Sequence, residues 1–193
     1  MVVRYLGAQG IARPRDLAVD GVSREHFRRL AAKGRIVRLA RGMYALAEAE
    51  LGEHESLVAA CKAVPHGVIC LLSALRFHGL TTQAPFDVWM ALPRASRVPS
   101  GGGVPIRFAW FSGAALTEGV ETHRVEGALV RVYGVEKTIA DCFKYRNKIG
   151  LDVALEALRD AWRLRKGTAD ELWRFARVCR VGNVMRPYLE GLA

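Results

Sequence analysis

At 193 residues the chain has room for one large domain or two small ones. Hydrophobic residues make up 51% of it, which supports a sizeable core and excludes a disordered arm. Lysine and arginine number 29 against 19 acidic residues, a net charge of +10 that suits an anionic partner.

No apolar run reaches the roughly 18 residues of a membrane span, and the greasiest stretch, Val68 to Leu72, is far too short. No membrane partner is therefore expected. The opening MVVRYLGAQG has no charged start leading into an apolar core and a cleavage site, so the expectation is a cytoplasmic protein. Cys61, Cys70, Cys142 and Cys179 lie in apolar or helical stretches without a CxxC pair. Reduced, mostly buried thiols are expected, with no zinc and no other metal or cofactor.

The charge is concentrated at the front. Ten cations and only four anions fall within residues 1–48, so a quarter of the chain carries more than half of the excess. Met1 to Gly7 leaves room for a short first helix. Pro14 suits the first turn of a second one through Arg15 to Val19, where missing N–H groups cost nothing. Asp20-Gly21 breaks it. Ser23 stands where an N-cap belongs, and Glu25 suits the positive end of the dipole of a helix from about Ser23 to Lys33. Val22, Phe27, Leu30 and Ala31 form its apolar stripe; Glu25, Arg28, Arg29 and Ala32 lie opposite, with Arg24 at the edge. Gly34 stops the helix. Ile36 to Leu39 and Met43 to Leu46 read as two strands joined through Ala40-Arg41-Gly42, a basic hairpin.

Taken singly, arginines on an exposed helix face are an ordinary solvated face, and Arg41-Gly42 an ordinary turn. Their order within about 35 residues points to a winged helix-turn-helix on double-stranded DNA. Cations that neutralise phosphates release counterions and give salt-dependent attachment. Ser23, Arg24 and Arg28, at the front of the second helix, are the candidates for base contacts, since arginine grips guanine bidentately in the major groove. Arg29 shares their face. Arg13, Arg15, Arg38 and Arg41 are the candidates for phosphate or minor-groove contacts.

A boundary is expected near Ala47 to Glu55, dividing residues 1–50 from a mixed α+β domain over 51–193. A helix is expected over His54–Val64, followed by a strand or buried helix over Val68–Gly79 that is helical from about Leu71. Strands are expected over Phe86–Leu92, Ile106–Phe111, Val120–Val125 and Leu129–Val132, with Pro99 to Gly103 as a flexible connector. Helical spacing then returns over about Glu136–Arg146, Asp152–Arg165, Ala169–Val178 and Met185–Leu192. The class is thus α+β, a winged helix-turn-helix followed by a mixed α+β domain. The basic groups Lys144, Arg146, Lys148 and Arg163, Arg165, Lys166 are candidates for a second functional surface, although cations also favour helix C-termini.

Catalytic chemistry finds little support. His78 follows a helix, where a capping or core-satisfying role is ordinary. His54, His66 and His123 are scattered, and the carboxylates show no spacing of nuclease metal ligands. Asp141 lies four residues from Lys137 and Glu136-Lys137 is an E-K pair, too little for a catalytic assignment. Gly101-Gly102-Gly103 runs into Val-Pro rather than Lys-Ser/Thr and is a poor phosphate cradle. The chain is read as a non-enzyme with no catalytic residue.

The segment RPRDLAVDGVSREHFRRLAAKGRIVRLARGMYAL resembles the winged helix of the AbiEi antitoxins of type IV toxin–antitoxin systems, including an R-G-x-Y wing of Arg41, Gly42 and Tyr44. SALRFHGLT (Ser73 to Thr81), WMALPR (Trp89 to Arg94) and VRVYGVEKTIADCFKYRNKIG (Val130 to Gly150) are similar to later parts of the same family. The resemblance implies a repressor that binds inverted repeats in its own promoter, with Tyr44 counted in the DNA-binding wing. It also implies an antitoxin that counteracts an AbiEii-like nucleotidyltransferase toxin without a stable complex. The alternative is a winged-helix regulator whose larger domain senses a ligand or recruits a protein.

Overall fold

The computed structural model describes residues 1–40, 42–48, 54–98 and 104–192. Two compact units emerge. The first comprises Met1–Pro65, Val98–Pro105 and His123–Val130; the second comprises His66–Arg97, Ile106–Thr122 and Arg131–Ala193.

The first unit opens with α1 (Val2–Gln9), which buries Val2 and Leu6. Strand β1 (Ile11–Ala12) follows, then a 3-10 turn over Pro14–Leu17, helix α2 (Arg24–Ala32), and the strands β2 (Ile36–Ala40) and β3 (Met43–Leu46). The three strands form an antiparallel sheet in the order β1-β3-β2. Val2, Leu6, Ala12, Leu17, Phe27, Ile36 and Tyr44 make its core, with Val22, Leu30 and Ala31 packed partly against it. That is the apolar stripe expected of α2, and the helix ends where expected. Gly34 takes a φ of 66°, and Arg35 N–H returns to the Leu30 carbonyl.

One local expectation differs, and one strand was not foreseen. The expected helix over Arg15 to Val19 is a four-residue 3-10 turn, because its only buried apolar residue is Leu17 and Asp16 turns back to cap Arg13. Strand β1 carries no alternation to detect; its two residues are held by pairing with Ala45 and Tyr44.

Helix α3 (Glu55–Ala63) groups with this first unit, although the composition shift near Ala47 suggested a boundary before it. Its buried face is Leu57, Val58, Ala59 and Ala60. The unit also takes in the hairpin tip around Gly127, whose φ is 77° and at which a Cβ would overlap the Ala8 carbonyl oxygen. Gly127→Ala is accordingly expected to destabilise the protein by about 3 kcal/mol, combining backbone strain with steric conflict. An unchanged denaturation midpoint would contradict that packing.

The second unit contains β4 (Val68–Ile69), α4 (Leu71–Phe77), β5 (Val88–Pro93), β6 (Ile106–Phe111), α5 (Ala114–Thr117), α6 (Val135–Lys144), α7 (Arg146–Ile149), α8 (Leu151–Arg163), α9 (Ala169–Val178) and α10 (Gly182–Glu190). The hairpin of β7 (Val120–Val125) and β8 (Ala128–Tyr133) completes a five-stranded sheet in the order β6-β5-β4-β8-β7. β5 runs parallel to β6 and antiparallel to β4, while β4 runs parallel to β8. The mixed sheet with its helices is the α+β architecture expected. Strand β5 begins later than expected, leaving Phe86 88% exposed. The expected connector over Pro99 to Gly103 lies outside the described residues.

Helix α6 sits at the centre, packed by α4, α8, α9 and α10. Every residue from Lys137 to Phe143 is buried. The two charged members satisfy each other: Lys137 Nζ lies 2.5 Å from Asp141 Oδ2, both side chains fully buried. The ammonium also sits 3.9 Å from the Tyr133 ring centroid and 4.8 Å from that of Phe111. Cys179 Sγ donates to Asp141 Oδ1 at 3.2 Å. These contacts compensate two ions that would otherwise be costly to remove from water.

Candidate nucleic-acid interface

The N-cap fixes where α2 begins. Ser23 has extended backbone angles and its Oγ accepts from His26 N–H at 3.3 Å, while Glu25 occupies the first turn. With Phe27 fully buried, the helical period turns Glu25, Arg28 and Arg29 away from the core, while Ser23 and Arg24 are exposed at the N-terminal end of the helix. Arg28 approaches Glu25 at 3.5 Å, but both side chains are mostly exposed, 74% and 61%. Such a pair is weak and leaves the guanidinium available to another anion. Lys33 and Arg35 continue the exposed cations beyond the helix; they were counted in the sequence charge but not singled out.

The wing has Arg38 opposite Tyr44 and Ala40 opposite Met43, with the register slipping between Arg38 and Ala40. A bulge of this kind bends the strand and re-aims its side chains. Arg38 is exposed. Arg41 lies outside the described residues.

Three candidates have structural partners of their own. Tyr44, counted in the DNA-binding wing, is only 8% exposed, and its ring stands 5.1 Å from that of Phe27. It packs α2 against the sheet from within the wing. Arg13 caps the 3-10 turn: its N–H donates to Asp16 Oδ2 at 2.9 Å and its Nε to Oδ1 at 3.3 Å, with 17% of the side chain exposed. Arg15 remains exposed, with one guanidinium nitrogen 3.5 Å from the Lys62 carbonyl. Lys62 itself is half-buried, and that burial pulls its ammonium down to about 8 against the opposing charge of Asp16. Ser23, Arg24, Arg28 and Arg29 are thus all exposed along α2, while Arg13 and Tyr44 support the frame.

The remaining sequence candidates lie in the second unit. His78 ends α4, its Nε2 2.7 Å from the Tyr133 carbonyl oxygen, a satisfied capping position. Lys166 Nζ donates to the His78 carbonyl at 2.5 Å, Arg163 pairs with Asp160 at 3.0 Å, and Arg146 donates to the Phe143 carbonyl at 3.0 Å. Among the described residues no three His, Cys, Asp or Glu side chains are grouped to hold a metal ion. No described helix is long and apolar enough to cross a membrane.

A capped, cation-bearing helix packed on a short sheet and followed by a two-stranded wing defines a winged helix-turn-helix of the transcription-regulator class. Residues 4–47 match the family model described as "Transcriptional regulator, AbiEi antitoxin". The crystal structure of RV2827C protein from Mycobacterium tuberculosis is similar in fold, with a TM-score of 0.62 at 17% identity, over 91% of this chain and 70% of that one. No curated protein matches the sequence.

Proposed function

We propose that the chain is a repressor and antitoxin that binds an inverted-repeat operator in its own promoter and counteracts a co-encoded nucleotidyltransferase toxin. The carrying observation is the exposed cationic face of α2 in a segment that matches the AbiEi regulator model. Arg24, Arg28 and Ser23 reach base edges in the major groove. Arg15, Arg29, Arg38 and Arg41 hold phosphate, together with Lys33 and Arg35. Arg13 and Tyr44 act indirectly, by fixing the turn before α2 and the seat beneath it. The antitoxin activity belongs to the second unit and requires no stable complex with the toxin.

Footprinting of purified protein on the DNA upstream of its own gene tests the repressor reading. Protection of two inverted half-sites is expected; protection without sequence preference contradicts it. Arg38→Ala should reduce the slope of log affinity against log salt by about one unit, the loss of one phosphate contact. An unaltered slope removes Arg38 from the interface. Co-expression with the neighbouring gene tests the second activity: rescue of growth by the full chain is expected, and undiminished toxicity contradicts it.

A further inference from the structure

The second unit contains a cleft of about 580 Å³ that has no place in the reading above. It opens beyond the carboxyl ends of the parallel neighbours β5 and β6, which finish at Pro93 and Phe111. In open sheets with parallel strands this is where ligands are ordinarily held. Its size is that of small-molecule and cofactor sites and far exceeds a lone phosphate.

The lining has two chemistries. Arg94, Lys144, Lys148 and Arg180 supply four exposed cations, drawn from the residue after β5, the end of α6, α7 and the second residue after α9. The one carboxylate in the lining, Asp141, is spent on Lys137. Helix C-termini alone account for cations at Lys144 and Arg180, but not for Arg94 just after a strand. Arg180 also holds a left-handed backbone, φ 57°, at a position where glycine is the ordinary choice.

The second chemistry is aromatic. Trp110 and Tyr145 are both half-buried residues of the lining; the Tyr145 hydroxyl is anchored on the Trp110 backbone, donating to its carbonyl at 3.0 Å and accepting from its N–H at 3.1 Å, and the Tyr145 ring packs 5.5 Å from that of Phe111. Lys148 Nζ stands 5.6 Å from the Tyr145 ring centroid. A flat ring beside converging cations matches a ligand that is itself a flat ring carrying phosphate.

We propose that this cleft binds a nucleoside mono- or diphosphate, with the base against Tyr145 and the phosphate among Arg94, Lys144, Lys148 and Arg180. Such a ligand would give the regulator an input besides its operator. The test is a fluorescence titration of the full chain with adenosine mono- and diphosphate, alongside inorganic phosphate, adenosine and a short single-stranded oligonucleotide. The expected result is saturable binding of a mononucleotide that exceeds binding of phosphate or adenosine alone. Arg94→Ala and Lys148→Ala should each weaken it about tenfold, the loss of one charge-assisted contact, with the melting temperature unchanged. Trp110→Phe should remove most of the quenching, and Arg94→Lys should restore part of the affinity that Arg94→Ala loses. Mononucleotide affinity indifferent to Arg94 and Lys148 overturns the proposal. Binding of the oligonucleotide without any mononucleotide, or no binding up to millimolar concentration, overturns it equally.

Discussion

Lys137→Ala is expected to lower the unfolding free energy by about 3–5 kcal/mol, read from urea denaturation. The expectation rests on full burial: the substitution removes the counter-ion and leaves the Asp141 carboxylate inside helix α6 with the Cys179 thiol as its remaining side-chain donor among the described residues. It also strips the Tyr133 and Phe111 rings of the cation between them. Replacing both partners with apolar residues of similar volume, Lys137→Met with Asp141→Leu, should cost far less, since no uncompensated charge remains. If the single and double variants are equally unstable, packing rather than ion pairing governs the site.

The same pair gives a pH signature. Burial pushes the Asp141 carboxyl up from its ordinary 3.8 to about 6, outweighing the Lys137 charge and the hydrogen bonds from Lys137 and Cys179. A carboxyl raised on folding binds its proton more tightly in the folded state. Its contribution to stability is therefore full below about 4 and is lost as pH rises to about 6. The stability difference between wild type and Asp141→Asn should fall across that interval; a rise contradicts the burial-dominated environment.

The second large effect concerns DNA. Arg24→Ala and Arg28→Ala should each cost about 1–3 kcal/mol of operator affinity and relax the base preference at one position. Neither side chain supports the fold. Arg24 is exposed, and Arg28 makes only a loose contact with the equally exposed Glu25, so melting temperatures should stay within a degree or two. A uniform loss across all sequences would make these residues phosphate contacts instead.

The parts of the fold that were legible in the sequence are those specified by neighbours in the chain. Ser23 as N-cap, the stripe of Val22, Phe27, Leu30 and Ala31, and Gly34 as the stop define α2 without any distant partner. Strands β6 and β7 were legible for the same reason, their limits at Ile106, Phe111, Val120 and Val125 coinciding with the hydrophobic pattern.

What escaped is set by long-range pairing. Strand β1 exists because β3 is there to receive it, and the burial of Tyr44 depends on Phe27, 17 positions earlier, across the first core. Arg13 looked like one more surface cation until Asp16 folded back onto it. In α6 the Lys137–Asp141 spacing of four residues was visible, but a helix carrying both charges reads as half-exposed. Only the surrounding helices and the two aromatic rings make it buried on all sides.

The central claim is that the exposed cations of α2 read duplex DNA. Its most direct measurement is a titration of the full chain, and of an Arg24→Ala/Arg28→Ala/Arg29→Ala variant, against duplex from upstream of its gene over a range of salt concentrations. The account predicts tight, sequence-selective and steeply salt-dependent binding by the wild type, and loss of that selectivity in a variant with unchanged circular dichroism. Absence of wild-type binding at moderate ionic strength, or a variant that binds as the wild type does, contradicts it.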